Sequence, residues 1–287
     1  MDLSLPYENQ VAIAGDWHGN ISWVQKAISA LARAAPGVKT VLHVGDFWFN
    51  RSIRGRSYLN AVDYCCERAG IARVLVTPGN HEDWNWLDEE FLAMPGLPVP
   101  VSPFVSVLPR GFRFTLSGRF LMSFGGAASV DYSLRSVGVD WWLTEVPTDE
   151  DVATAIAAGP VDVLLTHDTV NGGTTATETL LRSNPMGWSA EALLYSGLSR
   201  ERVTHVWNAV DPKLLLHGHM HVADQIILAD GRQVISLDRD ERDKNMGLLN
   251  LGTLGWEWIS GVGRNDRVRR SRNVEAQYLN RPIEMDN

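Results

Sequence analysis

Three short apolar runs between residues 11 and 76 restrict the fold more than any other feature of this chain. They are Val11–Ala14, Val41–Val44 and Val74–Val76, each too short for a helix, and they stop at Gly15, Gly45 and Pro78-Gly79. Runs of this length, bounded by turn residues, are what buried strands require. Between them lie helical patterns. Asn20 can cap a helix in which Ile21, Val24, Ile28 and Leu31 recur at helical spacing, and Pro36-Gly37 ends it. Residues 57–69 carry a second such pattern. Alternation of strand and helix predicts a mostly parallel sheet with helices packed on it. Functional groups in such sheets gather beyond the carboxyl ends of the strands, which is where Asp16, Asp46 and Asn80 fall.

The remainder reads less regularly. Residues 84–110 suggest a helix followed by an irregular loop rich in Trp and Pro. Phe112–Leu116 and Phe120–Phe124 read as strands joined through Ser117-Gly118, and residues 125–135 as a polar loop. Thr148 opens a helix to about Ala158, with Asp149, Glu150 and Asp151 in its first turn, where acidic groups suit the helix dipole. Val161–Leu165 is a further buried strand, closed by Thr166-His167-Asp168. Residues 169–198 are polar and broken by glycine, and read equally as a lid or binding loop or as a solvated excursion. Ser199 is then expected to cap a helix to about Val210, and Leu214–Leu216 forms a strand leading into GHMH. Alternating stretches at 222–228, 233–237, 247–251 and 256–259 predict a closing set of largely antiparallel strands. The expected organisation is one domain over residues 1–261 and a polar, arginine-rich tail over 262–287.

Composition excludes several classes. With 45% hydrophobic and 21% charged residues, the chain can bury a sizeable core. A formal charge of −8 argues against a broad basic face, so no stable binding of duplex nucleic acid is expected. The only cysteines, Cys65 and Cys66, are adjacent and cannot easily close a normal disulfide, which rules out a disulfide framework and predicts two packed thiols. The start, MDLSLPYENQ, carries no basic and apolar leader, and no uninterrupted apolar stretch is long enough to span a bilayer. A cytoplasmic protein without membrane contact is therefore expected.

Five of the eight histidines, His18, His81, His167, His219 and His221, lie in short blocks at strand ends: GDWHGN, GNHE, THD and GHMH. A fifth block, GDF, adds Asp46. For a single histidine, a hydrogen-bonded structural imidazole is the better reading. Five of them in blocks at strand ends point instead to a shared site. Imidazoles with carboxylates form a mixed nitrogen and oxygen donor set that suits Mn, Fe or Zn better than Ca, and no thiolate is available for a typical structural zinc site.

These blocks, in the order D-x-H, G-D, G-N-H-[DE], a lone His and G-H-x-H across residues 15–221, resemble those of the calcineurin-like metallophosphoesterases. The resemblance implies an α/β fold, specifically a four-layer αββα sandwich of two mixed sheets flanked by helices. It implies two divalent metal ions, Mn first, with Fe, Zn, Ni or Mg as alternatives. One ion would be held by Asp16, His18, Asp46 and His221, the other by Asp46, Asn80, His167 and His219, with Asp46 bridging. It further implies hydrolysis of phosphate mono- or diesters by a metal-bridging hydroxide, with His81 as general acid. Glu82 or Asp83 would orient the His81 imidazole. Substrates consistent with the family are phosphorylated small molecules, nucleotides or phosphoproteins. A protein Ser/Thr phosphatase, a nucleotide or cyclic-nucleotide phosphodiesterase and a non-catalytic metal-binding scaffold are the alternatives. The family's protein phosphatases carry G-D-x-x-D-R-G where this chain has GDFWFNRS, which weakens that assignment. Oligomeric state is not legible.

Secondary candidates are Arg51, Arg54, Arg56 and Arg135 for phosphate recognition, against solvated basic loops. Trp17, Trp48, Trp84 and Trp86 flank the motifs and suit base stacking, with core or rim packing the better reading. His43 and His217 are expected to pack beside the site, and His205 to lie on a helix face.

Overall fold

A computed structural model describes residues 3–49 and 52–262. The first half contributes strands to two sheets. After β1 (Leu3–Leu5) come β2 (Gln10–Ala14), α1 (Ile21–Ala34), β3 (Thr40–His43), α2 (Ile53–Ala69), β4 (Arg73–Val76) and α3 (Trp84–Ala93). Next are β5 (Val99–Pro100), β6 (Val105–Val107) and the hairpin β7 (Phe112–Leu116) and β8 (Arg119–Phe124). The second half adds α4 (Asp149–Ala157), β9 (Val163–Thr166), α5 (Thr175–Ser183), α6 (Ala190–Val210) and β10 (Leu214–His217). It closes with β11 (Asp224–Ile227), β12 (Gln233–Ser236), β13 (Met246–Asn250) and β14 (Trp256–Trp258).

The strands form two seven-stranded mixed sheets, β14-β13-β2-β3-β4-β6-β5 and β1-β7-β8-β9-β10-β12-β11. Period-two alternation sorts each central strand between two cores. Ala12, Ala14, Val41, Val74 and Val76 face outward and pack with Trp23, Ile28, Tyr58 and Leu87 of α1, α2 and α3. Val11, Ile13, Leu42 and Leu75 face inward and meet Phe114, Leu121, Leu165 and Leu216 of the other sheet. On the far side, Met122, Leu164 and Leu215 pack beneath Val152 of α4 and Val203, Val206 and Trp207 of α6. The layers therefore run helix, sheet, sheet, helix, as the family resemblance implied. Because both faces of the central strands are covered, these strands read as continuous apolar runs.

Local signals explain most boundaries. Asn20 caps α1 by accepting from Trp23 N at 3.0 Å. Helix α2 starts earlier than residue 57 because Ser52 caps it through Gly55 N. Residues 97–110 contain β5 and β6 where the sequence suggests only loop, and β1 has no matching signal in the sequence. One expectation is corrected outright. Ser199 is not a cap but lies inside α6, which begins nine residues earlier at Ala190 with Ser189 as its cap. The closing strands are largely antiparallel, as expected, apart from the parallel pairing of β12 with β10.

Cys66 is buried and Cys65 partly so, with burial pushing the Cys66 thiol up to about 12. No described helix is long and apolar enough to cross a membrane. Asn50, Arg51 and the arginine-rich tail from residue 263 onward lie outside the described residues.

Candidate metal centre

The loops after β2, β3 and β4 from one sheet meet the loops after β9 and β10 from the other. The β2 and β3 loops are joined through their backbones: Trp17 N and His18 N both donate to Asp46 O, at 3.1 and 2.8 Å. The turns are sharp. His18, Asp46, His219 and His221 all have positive φ, between 46° and 65°. Non-glycine residues adopt this region at a cost, and such strain is found where surrounding structure fixes a functional group. Close approach explains two of the glycines. A Cβ at Gly45 would overlap the His167 imidazole, and one at Gly218 would overlap the Asp16 carboxylate.

Two donor groups result. Asp16, His18, Asp46 and His221 place one ligand atom each within 4.8 Å of one another, and so do Asp46, His167 and His219. Asn80 joins the second group, its Oδ1 3.1 Å from His167 Nε2. Asp46 belongs to both. Its Oδ1 faces His167 Nε2 at 3.2 Å, while its Oδ2 faces His18 Nε2 at 3.5 Å and His81 Nε2 at 3.7 Å. His221 Nε2 lies 3.0 Å from Asp16 Oδ2. All seven residues expected as ligands are thus brought together, and His81 lies beside them. A divalent ion fits this arrangement on a direct test: His219 Nε2 is buried without a hydrogen-bond partner, a costly state for an imidazole nitrogen that a metal would relieve.

Electrostatics follow from crowding. Burial opposes ionisation of Asp16, but the hydrogen bond from His221 and the charges of His167 and His221 hold its carboxyl at about 2. Burial likewise opposes ionisation of Asp46, and the charges of His167 and His81 overcome it, holding that carboxyl well below the usual range. His18 and His167 rise to about 10 despite burial, His18 through its bonds to Asp240 and Asp46 and His167 chiefly through the charge of Asp46. His219 is driven well below its ordinary value by burial, with the charge of His167 adding to it. Burial also lowers His81, the charge of Asp46 opposing and that of Arg135 reinforcing it.

A supporting layer holds these groups. His18 Nδ1 lies 3.0 Å from Asp240 Oδ1, and His167 Nδ1 lies 2.7 Å from Val44 O, so each ring has its Nε2 turned to the centre. Asn80 Nδ2 donates to Ser129 Oγ at 3.0 Å, and Ser129 donates in turn to Glu145 at 2.8 Å. Glu145 is fully buried and also accepts from Ser129 N, Trp141 Nε1 and Tyr195 OH. Asn245 accepts from the indoles of Trp17 and Trp23. Sequence reading missed Asp240, Asn245, Ser129 and Glu145. Their only signal is that polar residues sit in otherwise unassigned loops.

Other candidates separate clearly. Neither Glu82 nor Asp83 bonds to the His81 ring. The Glu82 carboxylate accepts from Trp48 N and Gly79 N, tying the β3 and β4 loops, and Asp83 caps α3. Arg135 reaches His81 instead, its two terminal nitrogens 2.9 and 3.0 Å from the ring nitrogens. Trp17 and Trp84 are buried in the core, and Trp48 stacks beneath Arg54 at 4.6 Å. Arg54 and Arg56 are exposed on the first turn of α2. His43 and His217 are buried, and His205 is exposed on α6. Beside the donor groups opens a cavity of about 570 Å³, walled in part by Leu180, Met186 and Trp188 from the 169–198 segment. That segment is therefore part of the site's wall and carries α5 and the start of α6.

Comparison with known proteins agrees with this architecture. Residues 10–223 match the family described as calcineurin-like phosphoesterase. The fold is similar to that of the protein TT1561 of Thermus thermophilus, at 12% identity and a TM-score of 0.51, over 88% of this chain and 99% of that one. It is also similar to a dimetal phosphatase from Danio rerio, at 13% identity and a TM-score of 0.50, over 84% of this chain and 92% of the other. No curated protein matches the chain.

Proposed function

Since the chain belongs to the calcineurin-like phosphoesterase family, we propose that it is a binuclear metal-dependent hydrolase of phosphate mono- or diesters. The observation that carries this is Asp46, whose two carboxylate oxygens face different donor groups. Asp16, His18, Asp46 and His221 would hold one ion, and Asp46, Asn80, His167 and His219 the other. When bound, two such ions supply Lewis acidity, neutralising charge on phosphoryl oxygens and making water more acidic. Manganese is the first candidate, with iron, zinc, nickel or magnesium also compatible with nitrogen and oxygen donors.

The chain's own groups do the rest. His81, on the cavity side of Asp46, is placed to carry the proton for the leaving alkoxide at Nε2, 3.7 Å from Asp46 Oδ2. The Asp46 carboxylate also accepts from His81 N at 3.0 Å, which fixes the position of that residue's backbone. The hydrogen bond to Ser129 turns the Asn80 amide so that its oxygen points inward. A cavity of about 570 Å³, lined by Arg135, Arg239 and Arg242 as well as by apolar Leu180, Met186 and Trp188, suits a small phosphorylated molecule or nucleotide.

Hydrolysis of an aryl phosphate monoester and its bis-aryl diester, with Mn²⁺ and with chelator, tests this reading. Turnover is expected to need metal and to fall on the order of 100-fold or more in Asp46→Asn. Stoichiometric binding of metal without turnover under any of the five metals would favour a scaffold on the same fold.

A further inference from the structure

The turn between α5 and α6 holds two apolar side chains in the lining of the cavity beside the donor groups. Helix α5 is fastened to β11 by Ala176 N, which donates to Asp224 Oδ2 at 2.9 Å. Asn184 ends the helix in the left-handed region, with φ 42°. Its side-chain amide then brackets Trp188: Oδ1 accepts from Trp188 N and Nδ2 donates to Trp188 O, each at 2.9 Å. Gly187, at φ 68°, lets the chain reverse between them. Met186 and Trp188 both line the cavity, and Met186 is 69% exposed. So exposed a methionine adds little to the core, yet a bracketed turn holds it in place.

Leu180, Met186 and Trp188 are joined in that lining by Met220 and Val222, which flank His221 in the chain, so the apolar wall begins at the donor groups themselves. The polar lining outside the donor set is largely engaged within the protein. Asp131 and Arg135 pair at 2.7 Å, Asp238 accepts from Arg239 N at 2.8 Å, and Arg239 lies 3.7 Å from Asp240. Arg242 completes it, a cation whose long stem is itself apolar. A sugar, polyol or nucleobase needs hydrogen-bond partners in place of water, and burying its polar groups without them is costly. A hydrocarbon needs none, and an unbranched methionine adapts to its shape. We propose that Leu180, Met186 and Trp188 form a subsite for the alcohol part of the ester, which selects phosphate esters of apolar alcohols over those of sugars and nucleosides. This rests on the hydrolase reading above. Asn184 is the positioning residue that keeps the turn closed.

The test uses the Mn²⁺-loaded full chain as wild type, Met186→Gln, Trp188→Ala and Asn184→Gly, with thermal melts to verify folding. Substrates are the n-alkyl phosphates from ethyl to hexyl, whose leaving alkoxides differ little in basicity, with glycerol 3-phosphate and AMP for comparison. Non-hydrolysable n-alkylphosphonates of the same lengths are titrated by calorimetry. Burial of each methylene predicts kcat/KM raised and phosphonate Kd lowered about 3-fold, or about 80-fold from ethyl to hexyl. Propyl phosphate should surpass glycerol 3-phosphate about 10-fold or more. The hexyl-to-ethyl ratio should fall about 5-fold or more in Met186→Gln and in Trp188→Ala. It should fall less in Asn184→Gly, which keeps the left-handed turn but loses the bracket. Rates and affinities independent of chain length, a preference for glycerol 3-phosphate or AMP over hexyl phosphate, or an unchanged ratio in Met186→Gln would overturn the proposal. If the wild type turns over no ester, the hydrolase reading fails, and the phosphonate titration still decides whether this wall takes an alkyl chain.

Discussion

At the scale of residues, the centre depends on groups that touch no ligand directly. Asp240 fixes His18 by accepting from its Nδ1, which sets the tautomer that leaves Nε2 free to coordinate. Replacing it with alanine should weaken Mn²⁺ binding about 10–100-fold, read by calorimetry. Glu145 is different, being a buried carboxyl with donors but no cation bonded to its side chain. Burial raises it from an ordinary 4.5 to about 7, the hydrogen bonds from Ser129, Tyr195 and Trp141 opposing. The folded protein thus holds this proton more tightly than the unfolded chain. Stability linked to it is complete below about pH 4.5 and is lost as the pH climbs through about 7. Glu145→Gln should flatten the decline in melting temperature across that window relative to wild type. An unchanged slope would show that the carboxyl does not bind that proton.

At the scale of elements, α6 shows how a long helix can be built from a weak local pattern. Its amphipathicity is slight, and Gly197 sits mid-helix at a point where the sequence suggests a break. What secures it is a cap at Ser189, the apolar stripe of Val203, Val206, Trp207 and Val210, and one buried polar contact. Ser199 Oγ donates to Asp168 Oδ2 at 2.6 Å, fastening the helix to the loop that carries His167. Ser199→Ala leaves a buried carboxylate oxygen without its donor and should cost about 1–3 kcal/mol in urea unfolding. A loss below about 0.5 kcal/mol would mean that water takes the place of the hydroxyl.

For the whole molecule, the donor groups join the two sheets. Asp16, His18, Asp46 and Asn80 come from the loops after β2, β3 and β4, while His167, His219 and His221 follow β9 and β10 of the other sheet. Ions bound by both sets would tie the layers at one edge, so that binding stabilises the native state by mass action. At a free metal concentration 100 times Kd, the gain is about 2.7 kcal/mol per site. Chelation should therefore lower the melting temperature and abolish turnover together, and added Mn²⁺ should restore both. Loss of activity without a thermal shift would mean that the ions bind the folded chain too weakly to add to its stability.

The sequence by itself determined the strand ends and the residues that gather there. Gly45 and Gly79 stop apolar runs immediately before Asp46 and Asn80, and short-range sterics encode that turn locally. Unbroken apolar runs also marked the central strands as covered on both faces, while the two sheets and four layers were implied by the family resemblance of the motifs. The parallel placement of β12, the true start of α6 and the supporting residues were decided only by tertiary structure. Asp240 meets His18 across 222 positions and Arg135 meets His81 across 54, and no periodicity links such pairs. A loop residue acquires its role from what the fold brings opposite it, and that is a property of packing, with no local signature in the chain.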